Sequence, residues 1–138
     1  MTHDEWRAFL EEGTRTAKLA TTRRDGRPHV VPVWFVLDGD DVLFTTDTAS
    51  VKARNLRRDP GVCLCVDDER PPYAFVTVEG EATLSEDLEA MLPVATAIGA
   101  RYMGAGRAEE FGRRNAVPGE LLVRVGPARV LAMAGVAD

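Results

Sequence analysis

Apolar positions change their spacing several times along the chain. Trp6, Phe9 and Leu10 recur at i, i+3 and i+4, Thr2 and Glu5 have the spacing of a capping box, and Gly13 stands where a helix stops. Residues 3–12 therefore read as a short amphipathic helix, suited to covering an open end of a barrel or sheet. From residue 15 the period becomes two. Arg15–Arg23 and Pro28–Leu37 read as strands joined by Arg24-Asp25-Gly26-Arg27, and Asp-Gly between alternating runs predicts a hairpin. A second turn, Asp38-Gly39-Asp40-Asp41, leads into Val42–Thr46, so the three strands read as an antiparallel meander. Pro32 cannot donate to a ladder and marks an edge or a bulge.

Ser50–Arg58 reads as a helix stopped by Asp59-Pro60-Gly61, followed by a strand Val62–Asp67. After Pro71-Pro72 comes a long strand, Tyr73–Leu84, with Gly80 as a bulge. Ser85 is expected to cap a helix that gathers Leu88, Met91, Leu92, Ala95, Ile98 and Tyr102 on one face, with a kink at Pro93. A glycine- and arginine-rich stretch to Gly119 has no clear period. Strands Leu121–Val125 and Arg129–Met133, broken at Gly126-Pro127, close the chain. Seven strands joined mostly by tight turns predict a mainly β fold, an antiparallel barrel with flanking helices, because closure removes the edges of such a sheet.

Length and composition fit one domain over residues 1–138: 45% of residues are hydrophobic and 28% charged, which excludes a disordered tail or a long coiled coil. The net charge of −5 argues against nucleic acid or an anionic membrane as partner. The acidic N-terminus lacks the features of a signal peptide, and the longest apolar stretch, Val30–Leu37, is too short to span a bilayer, so a cytoplasmic protein is expected. Cys63 and Cys65 cannot make a disulfide framework and read as packing residues pointing into the core. With His3 and His29 the only histidines, a tetrahedral zinc site is not expected. Dinucleotide, Walker and nucleophile-elbow motifs are absent.

The stretch Thr45–Arg58 carries the candidate chemistry. A strand ends in the paired hydroxyls of Thr45 and Thr46, and a helix then opens with Ser50, Lys52 and Arg54 in or near its first turn. Free amides at a helix start favour an anion, and these side chains complete a phosphate cradle. A solvated basic face is the plain alternative. It explains Arg57 and Arg58 at the helix end, where cations suit the dipole, but not Lys52 and Arg54. The strand His29–Phe35 is apolar on both faces, so its outer face needs a cover: a second subunit, a flat ligand, or both.

These stretches together resemble the pyridoxamine 5′-phosphate oxidase-like split β-barrel flavoproteins, and within them the actinobacterial branch of coenzyme F420-dependent reductases. The carrying residues are Leu19–Thr22 with Asp25–Val30, then Lys52-Ala53-Arg54-Asn55-Leu56-Arg57-Arg58-Asp59-Pro60, then Val78–Ala82. The resemblance implies a homodimer with coenzyme sites at the subunit interface. It implies Lys52 and Ser50 as phosphate-side contacts, supported by Thr45, Thr46, Arg54 and Asn55. It places His29, Val30, Val31, Pro32 and Val33 along the flat ring, and Tyr73 and Phe75 as aromatics from the other subunit. Pro32 and Trp34 stand where relatives commonly carry polar residues. The implied activity is hydride transfer between the deazaflavin F420 and an unsaturated small molecule, with Arg23, Arg24, Arg27, Arg57 and Arg58 as candidates for the coenzyme's anionic tail. An FMN-dependent flavoprotein and a non-catalytic cofactor- or haem-binding barrel are the alternatives. No side chain stands out as a general acid, and none is assigned as catalytic.

Overall fold

A computed structural model describes residues 1–138. Helix α1 (His3–Glu11) opens on the expected capping box: the Thr2 hydroxyl accepts from the Glu5 amide at 3.2 Å, and the Thr2 amide donates to Glu5 at 2.9 Å. Strands β1 (Ala17–Thr22), β2 (Pro28–Val33), β3 (Val36–Asp38) and β4 (Asp41–Asp47) lead to α2 (Val51–Arg58). Strands β5 (Gly61–Asp68) and β6 (Ala74–Ser85) come next, then α3 (Leu88–Met103), α4 (Ala108–Asn115) and β7 (Glu120–Met133).

All pairings are antiparallel, in the order β2-β1-β5-β6-β7-β4-β3. The two edge strands, β2 and β3, are neighbours in sequence, so the sheet curls until its ends meet across Trp34-Phe35. The barrel is split at that seam. Val33, Leu19, Leu64, Val76, Val123 and Phe44 line its interior, with Trp6, Phe9 and Leu10 of α1 and Leu56 of α2 packed into the same core. A smaller cluster of Leu43, Met91 and Leu122 seats α3 on the outside of β4 and β7.

The expected meander is therefore corrected. The run Pro28–Leu37 is two strands, because the backbone of Phe35 bonds to α3 instead of a ladder. Its amide donates to the Tyr102 hydroxyl at 3.3 Å, and its carbonyl accepts from Arg101 at 2.9 Å. Conversely, the two C-terminal runs are one strand: β7 continues through Gly126-Pro127, and the extra residue is absorbed by a register shift between Glu79 and Gly80. The bulge expected at Gly80 is therefore on the partner strand: Ala128 of β7 is the extra residue, and Gly80 lies opposite it. A Cβ at Gly80 would collide with the Gly126 carbonyl oxygen.

Three further expectations change. Asp87, not Ser85, caps α3, since Ser85 is still paired with Leu122 in the sheet. Met91, Ala95 and Ile98 form the buried face of α3, which runs unbroken through Pro93, while Leu88 and Leu92 are exposed. Cys63 and Cys65 alternate with the core residues Val62, Leu64 and Val66, and so sit half-buried on the outer face of the sheet. The unassigned stretch before Gly119 contains α4, which packs Phe111 against α3 at Gly99.

No helix is long and apolar enough to cross a membrane.

Candidate functional site

The start of α2 is built by the hydroxyls that precede it. Ser50 is the N-cap, its Oγ accepting from the Ala53 amide at 3.1 Å, and Thr46 Oγ1 lies 3.1 Å from Ser50 Oγ. Asp47 accepts from the Ala49 amide at 2.6 Å and tightens the turn. These bonds leave the amides of Val51 and Lys52 without intrahelical partners, as geometry requires at a helix start. Thr46 and Ser50 therefore shape the cradle, while the Lys52 side chain stands at its mouth.

Two clefts meet at this first turn. One, of about 660 Å³, is lined by Arg23, Arg24, Val51, Arg54, Asn55, Arg57 and Arg58. None of its five arginines is ion-paired, and neither is Lys52, although most of the protein's other cations are. Two of the five have backbone partners: Arg57 donates to the Thr48 carbonyl at 2.8 Å, and Arg58 donates to the Thr22 carbonyl. Arg23, Arg24 and Arg54 carry no such tie. Arg27 does not line this cleft and lies 3.9 Å from Asp25.

The other cleft, of about 330 Å³, lies between β2 and the α3–α4 pair. Pro32, Val33, Trp34, Thr45, Lys52, Ile98, Asn115 and Glu120 line it. Trp34 is 40% exposed. Its indole is stacked on Tyr102, whose hydroxyl donates to the Arg15 carbonyl at 2.8 Å.

Electrostatics tie the two clefts together. His29 is half-buried, and its Nδ1 is buried without a hydrogen-bond partner. Burial first, then the charges of Arg23 and Lys52, hold its pKa below the ordinary 6.5. Glu120 also keeps a buried oxygen, Oε2, without a partner. Burial and the neighbouring Asp47 push its pKa up, and Lys52 opposes them. The charge of Lys52 thus acts on both groups, each of which keeps a buried atom without a hydrogen-bond partner in the protein.

Asn55 is 4% exposed, and its amide is spent inside the protein, donating to Thr21 Oγ1 at 3.0 Å and accepting from Arg58 at 3.1 Å. It anchors α2 to β1. Val31 and His29 share the inward side of β2 with Val33, while Val30, 59% exposed, shares the outer side with Pro32. Tyr73 and Phe75 line neither cleft; Phe75 pairs with Met133 on the outer face, beside the exposed Tyr73.

Trp34 belongs to the apolar strand His29–Phe35 that the sequence singles out, whereas Ile98, Asn115 and Glu120 join the site without a signal in the sequence that would place them there. Ile98 and Asn115 reach it only through the α3–α4 packing. Glu120 reaches it because β7 pairs with β4, opposite Asp47, and a strand partner this distant leaves no mark in sequence.

A family model for pyridoxamine 5′-phosphate oxidase matches residues 2–134. The chain belongs to that family. Its split barrel is shared with the conserved hypothetical protein Rv2991 of Mycobacterium tuberculosis, with a TM-score of 0.87 and 28% identity over 98% of this chain and 86% of that one. A solved F420 reductase is similar at 26% identity and a TM-score of 0.70, covering 90% of this chain and 94% of its own. The haem storage protein HutZ of Vibrio cholerae has the same fold, with a TM-score of 0.75 and 21% identity over 99% and 98% of the two chains. The family contains flavin-binding oxidoreductases.

Proposed function

We propose that this family member is an F420-dependent oxidoreductase, working as a homodimer, that transfers a hydride between the deazaflavin and an unsaturated organic small molecule. The observation that carries the reading is the cluster of unpaired cations around the start of α2. One phosphate group calls for one or two cations and free amides. Lys52 with the Val51 and Lys52 amides meets that need alone. Five further arginines in an adjoining cleft are more than FMN requires, and they suit a ligand whose phosphate continues into a polycarboxylate tail. Similarity to a solved F420 reductase points the same way.

In this reading Lys52 clamps the phosphate, and Arg23, Arg24, Arg54, Arg57 and Arg58 hold the tail. His29 to Val33 and Trp34 border the ring. The bound coenzyme supplies the hydride chemistry. The protein contributes position, a dry wall on the β2 side and the fixed charge of Lys52. The outer face of the sheet, where Val30, Leu131 and Met133 are 59%, 50% and 44% exposed, is the surface a second copy would cover. Tyr73 and Phe75 on that face would then reach the partner's site.

Side-by-side titration with F420 and FMN tests the proposal. Tighter binding of F420, with a steep loss of affinity in added salt, is expected from a cluster of cations on a polyanion. Protein that binds FMN more tightly, or that is purified yellow with flavin, contradicts it.

A further inference from the structure

We propose that the hook after β7, Gly135–Asp138, is a positioning element for Tyr73: it locks the tyrosine in a left-handed conformation and so presents the ring to the coenzyme cleft of a second copy of the chain. This rests on the F420-dependent homodimer reading. Tyr73 has a φ of +66°, a region that disfavours bulky L-residues and that glycine enters freely. It is the one residue other than glycine with a positive φ. Such a backbone costs free energy and persists only where its surroundings over-determine it, a situation that gathers at functional positions.

Both flanks of Tyr73 are fixed. Ahead of it, its amide donates to the Arg70 carbonyl at 2.8 Å and closes a turn. Asp68 holds that turn by accepting from the Arg70 amide and from Arg70 Nε, each at 3.0 Å. The hook holds the other side. The Val136 amide donates to the Tyr73 carbonyl at 3.1 Å, and the Ala137 amide donates to the Pro72 carbonyl at 2.9 Å. The Asp138 amide closes the hook on the Gly135 carbonyl at 3.1 Å. Val136, Ala137 and Asp138 are all exposed, so the hook adds no side chain to the core and contributes those two backbone bonds instead.

The ring so held does little for its own protomer. It is 44% exposed, belongs to neither apolar cluster and stacks on no other ring. A tyrosine that strains its backbone and adds nothing to the core is retained for a contact outside its own fold. Val136, bonded to it, and Met133, opposite Phe75, are exposed as well and extend the outer face that a second copy would cover.

The test is fluorescence titration with F420 of wild type, Tyr73→Ala, the chain shortened to end at Ala134, and the two changes combined. Thermal unfolding of ligand-free Tyr73→Gly accompanies it. Loss of an aromatic contact predicts affinity weakened about three- to tenfold in Tyr73→Ala and in the shortened chain. Because both changes act through one ring, the combined variant should bind no more weakly than Tyr73→Ala. Tyr73→Gly relieves the backbone and should unfold at the same temperature or higher. Should the shortened chain fold poorly, Val136→Pro, which removes the amide that reaches Tyr73, takes its place. Losses that multiply in the combined variant overturn the inference, since the hook then acts on something other than Tyr73. Affinity within twofold of wild type in either single variant overturns it too, and both results leave the F420 reading intact. A lower unfolding temperature in Tyr73→Gly overturns it by making the ring structural. Absence of F420 binding by the wild type removes the coenzyme reading itself, and this inference with it.

Discussion

The indole of Trp34 lies flat on the phenol ring of Tyr102, the centroids 5.0 Å apart and the planes 2° from parallel. This contact joins the seam of the barrel to the end of α3. Arg101, the residue before Tyr102, donates to the carbonyls of Phe35, Gly13 and Leu10, so both sides of the seam are held by one turn of helix. A β2–β3 crossing that would otherwise be loose is thereby a fixed wall of the candidate site.

Replacing Trp34 by Ala should remove the stack and cost about 0.5–1.5 kcal/mol beyond the lost area, read by urea unfolding. Trp34→Phe should keep most of that stability. The chain's other tryptophan, Trp6, belongs to α1 and is buried in the core. Quenching of tryptophan emission by a bound ring should be weaker in Trp34→Phe, where only Trp6 can transfer energy to it, and an unchanged quench there would place the ring elsewhere.

Asn55 separates a structural role from a binding one. Asn55→Ala leaves the Thr21 hydroxyl and Arg58 without their buried partner, which costs about 1–3 kcal/mol. We expect a lower unfolding temperature, with coenzyme affinity in the folded fraction changed less than by loss of Lys52. The opposite ordering would make Asn55 a direct ligand contact.

Much of this architecture is legible from residue order. The capping box at Thr2 and Glu5, the Asp25-Gly26 hairpin and the helix opening at Ser50 each depend on neighbours within a few residues. What escapes depends on distant partners. The seam at Trp34-Phe35 is made by Arg101 and Tyr102, and Glu120 joins the site through its pairing with Asp47. The α4 helix escapes for a related reason. Its buried residues are only Phe111 and Gly112, too few to give a period, and they fit because α3 offers a glycine opposite. Cys63 and Cys65 lie outside rather than inside because alternation fixes which residues share a face but not which face is buried.

That α3–α4 contact gives a stability prediction. A Cβ at Gly99 would stand 2.6 Å from Phe111 Cβ, a branch point with no free end to swing away. Gly99→Ala should therefore destabilise by about 1–3 kcal/mol through overpacking. This outweighs the gain of about 1 kcal/mol that alanine brings to a helix interior. Thermal unfolding measures it, and a rise in stability would show that the helices separate freely.

His29 sets a pH dependence. Its folded-state pKa is below 6.5, so the unfolded chain takes up the proton first. Its contribution to stability is complete above pH 6.5 and is lost as pH falls through the depressed value. His29→Gln should remove that part of the slope between pH 7 and 5 in denaturant unfolding. An unchanged slope would show that His29 titrates as it does in solvent. An anion bound beside Arg23 and Lys52 should weaken the depression, so binding near pH 6 should take up protons. Calorimetry in two buffers of different ionisation enthalpy would detect this.

The anion clamp at α2 is tested most directly by calorimetric titration of wild-type protein and Lys52→Ala with F420 at the same pH and salt. Loss of a hydrogen bond to a charged group predicts affinity weakened by about ten- to a hundredfold, with the unfolding temperature of the ligand-free protein unchanged. Equal affinity in the two proteins would contradict the account.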